Sequence, residues 1–83
     1  MKKDLNKQKA PGFASRLKAS RLDAGLTQQD LADSLGITLR NYQKYEAADT
    51  EPSLYNLITI AITLQVSVDY LLGLSGEAHA GEC

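Results

Sequence analysis

Apolar positions along the chain fall in short clusters at helical spacing, most of them opened by a serine or threonine and closed by glycine or a polar break. Phe13, Leu17, Ser20, Arg21 and Ala24 share one side of a first helix, and Gly25 supplies its stop. Thr27 is an N-cap with Asp30 as an acidic capping-box partner, and Leu31, Ala32 and Leu35 form the stripe of a second helix ended by Gly36. Ile37 returns to the core before Thr38 caps a third helix, in which Tyr42, Tyr45 and Glu46 occupy neighbouring inward positions. Asp49-Thr50-Glu51-Pro52 breaks the pattern. Ser53 then caps the longest amphipathic stretch, with Leu54, Leu57, Ile58, Ala61 and Leu64 in register, and Ser67 caps a last short helix carrying Val68, Leu71 and Leu72 up to Gly73. No segment alternates with the period of a strand. The pattern predicts five helices in one all-α domain over residues 13–74, a flexible basic arm over 1–12 and a disordered tail over 75–83.

At 83 residues, 43% apolar and 23% charged, the chain has the material for one compact core. No apolar run approaches the ~20 residues of a membrane-spanning helix, and the basic N-terminus leads into Pro11-Gly12 instead of a signal-peptide hydrophobic stretch, so a cytoplasmic protein without membrane contact is expected. Cys83 is the single cysteine and His79 the single histidine, which leaves no internal disulfide and no Cys/His metal site. With no glycine-rich phosphate loop and no carboxylates clustered in helical register, neither a cofactor nor an enzyme activity is expected.

Charge placement changes the meaning of the net charge of −1. Residues 1–44 hold all nine Lys and Arg against four acids, a net of +5, whereas residues 45–83 hold six acids and no Lys or Arg, a net of −6. Such a dipolar chain turns a basic face to phosphates while its other side is repelled.

The two capped helices joined by Gly36-Ile37-Thr38 have the spacing of a helix-turn-helix running from about Thr27 to Ala47, a spacing that other small bundles share. Around them stand Arg21, Gly25-Leu26-Thr27-Gln28, Leu31-Ala32, Leu35-Gly36-Ile37-Thr38, Tyr45-Glu46, Pro52-Ser53-Leu54 and Val66-Ser67-Val68-Asp69-Tyr70-Leu71-Leu72. In that order, from about Phe13 to Leu74, they resemble the phage repressor and Cro family of helix-turn-helix regulators, the Xre family. The resemblance implies a five-helix, lambda-repressor-like domain whose third helix lies in the major groove of double-stranded DNA.

On that reading Thr38, Leu39, Arg40, Asn41, Gln43 and Lys44 are the base-reading positions. Arg40 has a donor pair for guanine, Asn41 or Gln43 the donor and acceptor that adenine needs, and Leu39 an apolar contact for a thymine methyl. Gln28, Arg16, Lys18 and Thr27 are the expected phosphate contacts, Thr27 being chiefly a cap and Gln28 also a brace for the recognition helix, as in the family. Lys2, Lys3, Lys7 and Lys9 serve either to track the duplex or only to solubilise. The resemblance pairs Arg21 with Glu46 as a partly buried salt bridge. It also marks three departures: an acidic loop over residues 47–51, Tyr42 where a smaller aliphatic is usual, and Gln65 where glycine is common.

Tyr55, Thr59, Ile62 and Val66 form a second stripe on the fourth helix, read as a homodimer surface. The function expected is a transcriptional regulator, a repressor that binds a near-palindromic operator as a dimer. The alternative is an antitoxin-like interaction module that uses the last two helices to hold a protein partner.

Overall fold

The computed structural model describes residues 12–74. Within them the chain forms α1 (Phe13–Asp23), α2 (Gln28–Leu35), α3 (Leu39–Glu46), α4 (Leu54–Leu64) and α5 (Val68–Leu72), as the periodicity predicts. The expected arm with Lys2, Lys3, Lys7 and Lys9, and the expected tail with His79 and Cys83, lie outside the described residues. Gly12 is the exception: it starts α1, its carbonyl accepting from the Arg16 N–H at 2.9 Å.

Four helices begin on a hydroxyl. The side-chain oxygens of Thr27, Thr38, Ser53 and Ser67 accept from the N–H groups of Asp30, Asn41, Asn56 and Tyr70 at 3.0–3.1 Å. Each satisfies a donor that has no carbonyl one turn earlier, a contribution of about 1 kcal/mol. At α2 the box closes reciprocally, with Thr27 N–H donating to Asp30 Oδ2 at 2.8 Å.

All five helices end alike. The N–H groups of Leu26, Ile37, Asp49, Val66 and Leu74 donate back to the carbonyls of Arg21, Ala32, Lys44, Ala61 and Asp69 at 2.8–3.1 Å. In each case the preceding residue is left-handed: Gly25, Gly36, Ala48, Gln65 and Gly73, with φ between 60° and 81°. This Schellman geometry turns the chain sharply and sends an apolar residue, Leu26, Ile37 or Val66, back onto the core.

The core takes Phe13 and Leu17 from α1, Leu31, Ala32 and Leu35 from α2, Tyr42 and Tyr45 from α3, Leu71 from α5, and Leu57, Ile60, Ala61 and Leu64 from α4. Here the structure corrects the sequence register. Leu54 and Ile58, read as core, are exposed, and Ile60, not assigned to either stripe, is fully buried. An almost wholly apolar helix offers several stripes. Packing against α2 and α5 selects the one centred on Leu57 and Leu64. Val66 also leaves the expected outer stripe: it follows the left-handed Gln65, and the Schellman turn folds its side chain inward to 8% exposure. Ala24, expected on the inner side of α1, is exposed.

Candidate nucleic-acid interface

The Glu46 carboxylate lies where α1, α2 and α3 meet. Its Oε2 accepts from Arg21 Nε at 2.6 Å and from the Tyr42 hydroxyl at 2.6 Å, and its Oε1 accepts from Arg21 Nη2 at 3.3 Å and from Gln28 Nε2 at 3.0 Å. Arg21 Nη1 donates to the Leu26 carbonyl at 2.9 Å, so the guanidinium also holds the turn into α2. Both side chains are buried, Arg21 at 8% and Glu46 at 5% exposure. Burial alone pushes the Glu46 carboxyl up. The hydrogen bonds from Arg21, Tyr42 and Gln28 outweigh it and leave Glu46 below the ordinary carboxylate value, charged in place. The expected Arg21–Glu46 bridge is therefore present, within a larger network.

With Tyr42, Tyr45 and Glu46 held inward, the ~100° step of the helix turns Arg40, Gln43 and Lys44 to the opposite side of α3. All three are exposed, as are Thr38 and Asn41. Thr38 is the cap, Asn41 lies at the edge next to Tyr45, and half-buried Leu39 at the other edge borders a shallow groove shared with Thr27, Gln28 and Gln29. That groove sets the start of α2 beside the start of α3. The turn through Gly36, at φ 68°, allows this approach within a few residues.

Gln28 bridges the two helices. Besides donating to Glu46, its Oε1 accepts from Gln43 Nε2 at 3.1 Å. The capping box satisfies the N–H groups of Thr27 and Asp30, while those of Gln28 and Gln29 have no carbonyl one turn back and open the anion-favouring end of α2. The hydrogen bonds from Thr27 hold the Asp30 carboxyl below its ordinary value. Thr27 serves the cap, its side-chain oxygen accepting from the Asp30 N–H.

The two cations expected on α1 part company. Exposed Lys18 shares the Arg21 flank of the helix by its i, i+3 spacing. Arg16 lies on the other flank, its guanidinium 5.7 Å from the centre of the Tyr70 ring on α5. The structure thus joins Gln43 to Gln28, leaves Arg40 and Lys44 exposed on α3, and turns Arg16 to Tyr70 on α5.

Two contacts escaped sequence reading. The Tyr42 hydroxyl on Glu46 was signalled by the i, i+4 spacing, with the tyrosine read as core filling. Asn56 Nδ2 donates to the Tyr45 hydroxyl at 3.2 Å and ties α4 to the end of α3. Nothing short of the fold brings those two side chains together.

An exposed polar and basic helix, wedged by a second helix across a glycine turn, defines a helix-turn-helix domain. Over residues 17–71 the chain matches the helix-turn-helix family HTH_3, and it belongs to that family. It is 48% identical over 67 residues to the uncharacterized HTH-type transcriptional regulator YqaE of Bacillus subtilis (strain 168), covering 81% of this chain and 56% of that protein. It is 41% identical over 58 residues to the cryptic phage CTXphi transcriptional repressor RstR of Vibrio cholerae, covering 70% of this chain and 52% of RstR. Among solved structures it resembles the P22 c2 repressor protein, crystallised in complex with the synthetic operator 9T, with a TM-score of 0.70 and 30% identity over 76% of this chain and 96% of that one. The chain spans about half the length of the curated relatives it matches.

Proposed function

We propose that this chain regulates transcription by binding double-stranded DNA sequence-specifically, with α3 in the major groove. The observation that carries this reading is the division of α3. Glu46 fixes it to α1 and α2, Tyr45 bonds α4 and Tyr42 is buried, while Arg40, Gln43 and Lys44 are left on the outer side, with Leu39, Thr38 and Asn41 around them. The likeness to a repressor crystallised on its operator supports the same docking. Gln28 and Lys18 take phosphate contacts. Arg16, held over Tyr70, has no part in them, and Thr27 acts as the cap. Repression follows from occupancy of a promoter.

The chain acts as a homodimer on a near-palindromic site. Its contact face is the outer side of α4, revised to Leu54, Tyr55, Ile58 and Ile62, which are 78%, 75%, 51% and 70% exposed, with half-buried Thr59 at the margin. No charged residue occurs from Leu54 to Leu64. Two copies can therefore meet there across a two-fold axis without like charges opposing, even though the chain is acidic on that side. The same face would hold a protein partner in the antitoxin-like reading, which predicts a monomer in isolation.

Binding to a genomic DNA pool at increasing salt tests the regulatory reading. It predicts an enriched symmetric motif and an affinity that falls steeply with salt; a folded protein that enriches nothing contradicts it.

A further inference from the structure

α1 ends at Asp23 and α4 at Leu64, and residues from both ends line one cleft of about 530 Å³. No residue of α3 borders it. Each helix brings the negative end of its dipole, where a cation in the last turn is the usual complement. α4 has no basic residue in its last turn, and the one in α1, Arg21, is engaged by Glu46 and the Leu26 carbonyl. Exposed Asp23 adds a carboxylate, and no Lys stands among the lining residues. Inside, Ser20 is only 9% exposed, and its hydroxyl has no hydrogen-bond partner among the described residues. A helical hydroxyl commonly returns to a carbonyl of its own helix, as Thr59 does to Tyr55 at 3.0 Å. Among those residues no side-chain polar atom sealed from solvent lacks a partner, so the Ser20 oxygen keeps its access through the cleft.

We propose that this cleft binds a small aliphatic ammonium ion, its head on Asp23 and the Ser20 hydroxyl between the two helix ends, its alkyl chain along Leu26 and Val66. The charge at the helix ends repels an anion. A neutral apolar molecule would leave the Ser20 hydroxyl without a partner. A bare metal ion needs several carboxylate, histidine or cysteine ligands, and no group of three or more of these stands together among the described residues. An ammonium group brings three donors and one charge, and the apolar wall suits a chain of a few carbons. Leu26 also ties the cleft to the turn into α2, its N–H donating to the Arg21 carbonyl at 3.1 Å and its own carbonyl accepting from Arg21 Nη1 at 2.9 Å. An occupant rests against the residue through which Arg21 holds that turn. Its binding does not depend on the DNA-binding reading.

Titration of the DNA-free protein with n-butylammonium chloride at about pH 7, where an alkylamine is protonated, tests the site through backbone amide NMR signals. Saturable shifts are expected at Ser20, Asp23, Ala24 and Gln65, with 1-butanol and ammonium chloride each binding about 10-fold more weakly or less. The first control keeps the chain without the charge, the second the charge without the chain. Asp23→Asn and Ser20→Ala should each weaken butylammonium binding by about 5-fold or more. Thr63→Lys, which carries an ammonium of its own to the cleft, should abolish it. Thermal melting checks that each variant is folded, and exposed Asp23 decides the matter if Ser20→Ala is not. Shifts that fail to saturate, that centre on other residues, or that ammonium chloride reproduces at equal strength overturn the proposal. Butylammonium binding that is unchanged in Asp23→Asn, or in a folded Ser20→Ala, overturns it as well.

Discussion

Glu46 carries its charge in a place where an unpaired carboxylate would not be tolerated, so each of its partners has a measurable value. Arg21→Met should destabilise the fold by ~3–5 kcal/mol, because it leaves Glu46 buried without its cation. Tyr42→Phe should cost less, roughly 1.5–3 kcal/mol, since Arg21 still reaches the same oxygen. Urea unfolding would show both as lower midpoints at an unchanged slope. The two titrating groups set opposite pH limits. Glu46, lowered from 4.5, contributes fully above that value, and its contribution is lost as pH falls through its folded value. Tyr42 is raised above 10.0, mainly by burial and then by its hydrogen bond to Glu46 and the charge there, so its contribution is complete below that pH and declines above it. Thermal melts across pH should show an alkaline decline that Tyr42→Phe diminishes. On the outer side, Arg40→Ala should cost roughly 1–3 kcal/mol of specific binding and relax one base position, whereas Lys18→Ala should weaken all sequences alike and reduce the salt slope by about one. The acids and cations of this site were legible unequally. Arg21 and Glu46 were paired only through the family likeness, and the Gln28–Gln43 contact depends on the angle between two helices.

The helices owe their limits to local chemistry, and those limits were the most legible part of the fold. Hydroxyl caps at Thr27, Thr38, Ser53 and Ser67 and glycine stops at Gly25, Gly36 and Gly73 are written in the residues that perform them. Ala48 is different: nothing in an alanine announces a left-handed residue at φ 64°, and only the tertiary path demands it. Ala48→Gly and Gln65→Gly should each stabilise the fold by roughly 0.5–1 kcal/mol, the relief of left-handed strain less the entropy glycine adds to the unfolded chain. A rise in melting temperature for both checks it. The face of α4 was misread for a related reason. Where nearly every position is apolar, periodicity cannot say which side is covered, and Leu54, Ile58 and Ile60 were decided by the neighbouring helices, while Val66 was turned inward by the left-handed Gln65 before it.

For the whole molecule, a symmetric DNA site requires a fixed reading helix and a second copy to present its equal. Ile62→Lys should disrupt self-association without unfolding the domain, since Ile62 is 70% exposed; sedimentation at increasing concentration compares it with wild type. The central claim is that α3 reads double-stranded DNA, and selection from random duplexes tests it most directly. An enriched two-fold symmetric motif is expected, its half-sites about one helical turn, ~34 Å, apart. Sequences recovered from a correctly folded protein with no enrichment over the starting pool would contradict it.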